Sequence, residues 1–86
     1  MRQLITTPNQ VGELLRGRRR ALGVAQQKLA MKLGISQGRL SALEGDAASL
    51  TLDRLISLAN LLGFELVLQD KSDAGDARGA RTKPEW

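Results

Sequence analysis

The chain contains no cysteine and no histidine among its 86 residues. Their absence excludes a disulfide frame and leaves no obvious metal site. It also removes the Ser–His and Cys–His pairs on which most nucleophilic catalysis rests. The carboxylates do not fill that gap, because Asp46, Asp53 and Asp70 are scattered and no two acids sit at a spacing that implies a shared site. The glycines form neither a G-x-G-x-x-G run nor a P-loop. No apolar stretch approaches the ~18 residues of a membrane-spanning helix, and no signal-peptide core opens the chain. The expectation is a cytoplasmic protein that is not an enzyme, carries no cofactor and has no membrane partner.

What is present is a small basic domain. Lys and Arg number 13 against 9 Asp and Glu, a net charge of +4, with a pI of about 10.4. That balance favours a polyanionic partner over a merely solvated basic surface. A hydrophobic core of this size is marginal alone, so association with another chain is a natural source of stability. Residues 1–70 read as one domain and residues 71–86 as a flexible tail.

The densest signal is Gln26 to Leu43, QQKLAMKLGISQGRLSAL. Two short helices crossing steeply need apolar side chains on their facing sides, a small residue where the backbones approach, and a turn residue that tolerates positive φ. Leu29, Leu33, Ile35, Leu40 and Leu43 meet the first need. Ala30 meets the second and Gly34, which lacks a Cβ, the third. One glycine turn alone is weak evidence. All seven positions in one basic window are strong evidence for a helix-turn-helix, with the helix from Ser36 to about Glu44 as the one that would lie in a DNA major groove.

Caps and periodicity place four helices. The first begins with Thr7 as N-cap, Pro8 in the first turn and Gln10 completing a capping box. It carries Val11, Leu14, Leu15 and Leu22 on one face, and Gly23 closes it. The second runs from about Gln26 to Leu33 and the third from Ser36 to Glu44. The fourth starts at Thr51, carries a stripe of Leu52, Leu55, Ile56, Ala59 and Leu62, and ends at Gly63. Hydrophobic staples are expected for Val24 on Leu29, Ile35 on Leu40 and Leu50 on Leu55. The weak start is Ala25, which offers no side-chain acceptor and should cost the second helix about 1 kcal/mol.

After Gly63 the period changes. Phe64–Gln69 is rich in β-formers and too short for another helix, so it reads as a strand. A single strand cannot satisfy its own backbone. Either it pairs with the short Gln3–Thr6 segment or with its copy in a second chain, where Phe64, Leu66 and Leu68 would form the dimerisation contacts. The tail that follows is Gly, Ala, Asp, Arg and Lys without apolar periodicity, and it ends on the only tryptophan, Trp86.

Arg16, Arg18, Arg19 and Arg20 form the densest charge run. They read either as the solvated outer face of the first helix or as a phosphate-facing edge. Arg19 is singled out because it can pair with Glu44 and join the first helix to the third. For DNA contact the selected residues are Gln26, Ser36, Gln37, Gly38, Arg39 and Ser41. Gln26 opens a helix, where its amide and the free N–H groups can meet a phosphate. Gln37 lies in the first turn of the next helix, and a Gln amide can pair bidentately with adenine N6 and N7. Ser36, Arg39 and Ser41 share that arc, with Arg39 suited to guanine or phosphate. Gly38 lowers helix propensity by roughly 1 kcal/mol, which suggests close backbone approach to the groove.

At these residues the chain resembles the Xre/lambda-repressor-like helix-turn-helix family. The resemblance covers about Val11 to Phe64, including Gly23, Gln26, Leu29, Ala30, Gly34, Ile35, Gln37, Leu40, Ser41 and Glu44. It implies a mainly α fold of four to five helices, DNA contacts at Gln26 and Gln37, and a buried pair at Arg19 and Glu44. The chain departs from the family at Ala25, where Ser or Thr is usual. A narrower resemblance is to HipB-type antitoxins, in the opening Thr7-Pro8-Asn9-Gln10, the Phe64–Gln69 segment after the fourth helix, and the closing Glu85-Trp86. That resemblance implies a C-terminal β-strand pairing across a homodimer.

Together these readings describe a homodimeric repressor that binds an inverted-repeat operator in double-stranded DNA and partners a HipA-like kinase toxin. The alternatives are a stand-alone Xre-type regulator with no toxin and a helix-turn-helix used only for protein interaction. The basic and amide groups on the recognition arc argue against the last. Trp86 would be the toxin-binding anchor of the tail, the entry point for a protease, or an incidental residue.

Overall fold

Helix starts in this protein follow the chemistry of the first-turn donors. In the computed structural model, which describes residues 2–71, α1 spans Pro8–Ala21, α2 Gln26–Leu33, α3 Gln37–Gly45 and α4 Leu52–Leu61. Before α1, Gln10 Oε1 accepts from the Thr7 N–H at 3.1 Å, and Pro8 fills a position that needs no donor. Ser36 Oγ accepts from the Arg39 N–H at 3.1 Å to cap α3, and Thr51 Oγ1 accepts from the Arg54 N–H at 3.1 Å to cap α4. Only α2 begins without a side-chain cap, at Ala25. The four helices and their starts agree with the sequence to within a residue.

The ends of α1, α2 and α4 share one device. Gly34 adopts φ of 76°, and beyond it the Ile35 N–H returns to the Ala30 carbonyl at 3.0 Å. The same five-back bond joins Val24 to Arg19 at 3.0 Å after α1 and Phe64 to Ala59 at 2.8 Å after α4. Val24, Ile35 and Phe64 then pack against the core formed by Leu15, Leu29, Ala30, Leu40, Leu58 and Leu62. All seven residues that defined the helix-turn-helix are buried or partly buried apart from the turn glycine itself.

Between α3 and α4 lies a short 3-10 turn, Ala47–Ser49, that the sequence did not suggest. It packs with α3 against α1. The approach is close enough that a Cβ on Gly12 would sit 2.5 Å from the Glu44 carbonyl oxygen and 3.4 Å from the Ala47 Cβ. Gly12 therefore sets how near α1 comes to the end of α3.

Three expectations need correction. Leu22 is half exposed because α1 ends before its side chain reaches the core. On α4 the buried residues are Leu58 and Ala59, with Leu62 just beyond the helix, whereas Leu52 and Ile56 of the expected stripe face outward. The stripe holds at Leu55, Ala59 and Leu62, and Leu58 joins it in the core. Finally, Gln3–Thr6 and Phe64–Gln69 share no backbone hydrogen bond, and only the side chains of Arg2 and Gln69 meet. Among the described residues there is no strand. Residues 65–71 leave α4 without a backbone partner, with Leu66 and Val67 exposed and Leu68 fully so. Phe64 alone of that segment is held against its own core.

Candidate nucleic-acid interface

The candidate site is organised by one buried carboxylate. Glu44 lies in the last turn of α3, where the helix carbonyls make the local field unfavourable for a negative charge. Arg19 of α1 answers it with a two-pronged ion pair, Nε to Oε2 at 2.7 Å and Nη2 to Oε1 at 3.2 Å. Both residues are buried, Arg19 at 7% exposure and Glu44 at 5%. The remaining guanidinium nitrogen, Nη1, donates to the Val24 carbonyl at 3.0 Å, so the α1–α2 link is tied to the same charge. Arg16 stands at the rim with its Nε 3.6 Å from Glu44 Oε1. The expected pairing of Arg19 with Glu44 is what the structure contains.

From Glu44 the polar contacts run outward. The Gln26 amide nitrogen donates to Glu44 Oε1 at 2.9 Å, and the Gln37 amide nitrogen reaches Gln26 Oε1 at 3.4 Å. Gln37 and Glu44 are two turns apart on α3, on one face, and Gln26 at the start of α2 spans the gap between them. Burial alone would raise the Glu44 pKa. The hydrogen bonds from Arg19 and Gln26, with the charges of Arg19 and Arg16, outweigh that and hold it below the usual glutamate value. Glu44 is therefore an anion at neutral pH. No buried side-chain nitrogen or oxygen among the described residues lacks a partner.

Around this chain of contacts, Ser36, Gln37, Gly38, Arg39 and Ser41 are all exposed, while Leu40, Leu43 and Glu44 are buried. Nothing within 4 Å would meet a Cβ on Gly38, so no packing within the chain explains that glycine. Gln26 is half-buried and joins the arc through Gln37.

The arginine run divides differently from either reading of it. Arg19 is buried in the ion pair. Arg18 Nε donates to the Leu62 carbonyl at 2.9 Å, and its guanidinium carbon lies 5.3 Å from the centre of the Phe64 ring. It fastens α1 to the C-terminal end of α4, where a cation suits the exposed carbonyls. Of the run, only Arg20 is fully out in solvent with no partner among the described residues.

This arrangement, two short helices joined by a glycine turn and locked to α1 by a buried charge pair, has a counterpart in known sequences: the helix-turn-helix family profile matches residues 7–68. The chain belongs to the Xre/lambda-repressor-like helix-turn-helix family. Members of this family are DNA-binding transcriptional regulators, generally not enzymes. Among curated proteins, none matches the chain. Among the described residues of this helix-turn-helix protein, no helix is long and apolar enough to cross a membrane. Trp86, the expected anchor of the tail, lies outside the described residues.

Sequence reasoning missed two members of the site's frame. Gly12 shares with Leu15 and Arg19 the buried face of α1, and a glycine inside a helix on its core face was the available signal. The structural duty of Arg18 had no such signal, because its partner is a backbone carbonyl.

Proposed function

We propose that this protein is a homodimeric, sequence-specific repressor that reads an inverted-repeat operator with α3, and that it is the antitoxin of a HipBA-like module. The observation that carries the reading is the Gln26–Gln37 amide pair, anchored on buried Glu44 and opening onto an arc of small and polar residues. A flat, polar helix face with a pre-oriented amide suits the edge of a base pair better than it suits a protein core. In this reading Gln37 contacts adenine, Arg39 contacts guanine or phosphate, and Ser36 and Ser41 bind the backbone. Gln26 and the uncapped N–H groups of α2 take a phosphate, and Gly38 lets the groove come close.

The dimer is supported by an uncovered apolar surface. Leu52 and Ile56 on α4 and Leu66, Val67 and Leu68 beyond it are exposed together with the unpaired backbone of residues 65–69. A second copy that pairs along this segment satisfies both the backbone and the side chains. Leu66 and Leu68 make the interface, and Phe64 supports it from its own core. Two α3 helices so arranged would address half-sites about one helical turn, ~34 Å, apart. The antitoxin assignment draws on the Thr7-Pro8-Asn9-Gln10 opening and the Glu85-Trp86 ending, with Trp86 docking on a HipA-like kinase toxin.

The test compares wild type and Gln37→Ala on the promoter of the protein's own gene and on a scrambled duplex. Operator binding should weaken by about tenfold or more while scrambled-duplex binding is nearly unchanged. Equal losses on both would make Gln37 a backbone contact. Co-purification with the product of the neighbouring gene, lost in Trp86→Ala, supports the antitoxin role. A neighbour with no kinase-like sequence leaves a stand-alone regulator.

A further inference from the structure

Glu44 is buried and is not itself a proposed DNA contact, yet it is joined through Gln26 to Gln37. Resting on the reading of α3 as the base-reading helix, we propose that Glu44 is a positioning residue for sequence specificity: through Gln26 it sets which way round the Gln37 amide is presented. The reasoning is one of donors and acceptors. An ionised carboxylate only accepts, so Gln26 must turn its amide nitrogen toward Glu44, as it does at 2.9 Å. Its oxygen then faces the other way and accepts from the Gln37 nitrogen at 3.4 Å. An amide carries two N–H groups. With the one anti to its oxygen directed at Gln26, Gln37 is left with the oxygen and the syn N–H side by side. That edge matches adenine, whose N6 donates and whose N7 accepts.

The polarity follows from the carboxylate, whatever the rotamer of the outer groups. If Glu44 were a neutral amide, it could donate to Gln26 as readily as accept. Gln26 could then turn over and offer its nitrogen to Gln37, which would have to answer with its oxygen. The adenine-matching edge would be lost for that fraction of molecules. The lowered pKa of Glu44 is consistent with a fixed anion at the root of the relay. Arg19 holds Oε2 with Nε and Oε1 with Nη2, which fixes Oε1 where it also accepts from Gln26. The ion pair thus does more than join α1 to α3: it orients an amide on the surface two turns away.

Two measurements on the full chain separate this relay from the DNA reading beneath it. The first follows the side-chain amide resonances of Gln26 and Gln37 by NMR without DNA, in wild type and Glu44→Gln. Gln26→Met, which keeps the Arg19–Glu44 pair and removes both amide bonds, is measured in parallel so that a folding defect in the first variant does not decide the result. Both variants should shift the Gln37 amide resonances. The second selects sites from a pool of duplexes with a randomised centre. Wild type should enrich adenine at one position of each half-site, and both variants should lose about tenfold of that preference. Unmoved Gln37 resonances in the folded Gln26→Met variant overturn the relay. Shifted resonances with undiminished adenine enrichment overturn its role in specificity. If wild type enriches no sequence at all, the base-reading function itself fails, and the amide resonances alone still decide whether the relay exists.

Discussion

The surroundings of Glu44 and the outer side of α4 with residues 64–71 differ in how completely the chain satisfies itself. Around Glu44 no buried side-chain nitrogen or oxygen lacks a partner: the carboxylate takes two prongs of Arg19, a third prong meets Val24, and the Gln26 amide shares Oε1. On the α4 side the balance is reversed. Leu52, Ile56, Leu66, Val67 and Leu68 are exposed, and the backbone of residues 65–71 has no backbone partner among the described residues. Single isolated apolar residues on a surface are ordinary, but a cluster beside an open backbone edge marks an interface. One region is finished by folding, and the other is finished by a partner only in the proposed dimer. The contrast predicts that substitutions at the first act on stability and those at the second on association.

The largest effect should come from the ion pair. Arg19→Ala or Glu44→Ala leaves a buried charge uncompensated and should cost roughly 3–5 kcal/mol. In chemical denaturation the double variant should lose less than the sum of the singles, because each removes the other's reason to matter. The pH dependence has a definite sign. The native pKa of Glu44 is depressed, so its stabilisation is complete above the ordinary glutamate value of 4.5 and is lost as pH falls through the lowered native value. Arg19→Ala should flatten that acid limb.

A smaller effect is expected at Gly12. Alanine favours a helix, yet its Cβ would meet a backbone oxygen at 2.5 Å, which the chain relieves only by moving α1 away from α3. Gly12→Ala should therefore destabilise by about 1–3 kcal/mol, read by the denaturation midpoint at constant slope. A stabilised variant would mean that α1 has room to shift. The smallest effect on folding should follow Leu66→Lys with Leu68→Lys. Both side chains are exposed in the single chain, so the intrinsic stability of the protomer should change by no more than about 0.5 kcal/mol. Sedimentation should nonetheless report monomer where wild type reports dimer. An unchanged dimer would move the interface to Leu52 and Ile56.

What could be read from the sequence depended on how many arrangements each segment allowed. The helix-turn-helix was legible because its apolar, small and turn residues fit one geometry, and the Ser36 and Thr51 caps are local chemistry. The Arg19–Glu44 pair was legible because two charges on facing helices have few other ways to be buried. On α4 the sequence was ambiguous. Leu52, Leu55, Ile56, Leu58, Ala59, Leu61 and Leu62 are apolar almost all the way round, so the period does not choose a face. The choice falls to contacts distant in sequence, among them Arg18 on the Leu62 carbonyl and Phe64 turning back to Ala59. Gly12 was obscured for a related reason: helix propensity flags it only as a weakness, and its value appears when the end of α3 arrives beside it. The candidate contacts on α3 are exposed, and the anchoring of Gln26 by Glu44 was not foreseen.

The links on either side of α2 carry a consequence for how such a chain can vary. Val24 and Ile35 each do two things at once: the N–H closes the helix behind, and the side chain enters the core just ahead of the next helix. A residue inserted in either link would separate those two duties. Loops are usually where proteins absorb insertions and deletions. Here the links on either side of α2 are held to their length by those two duties.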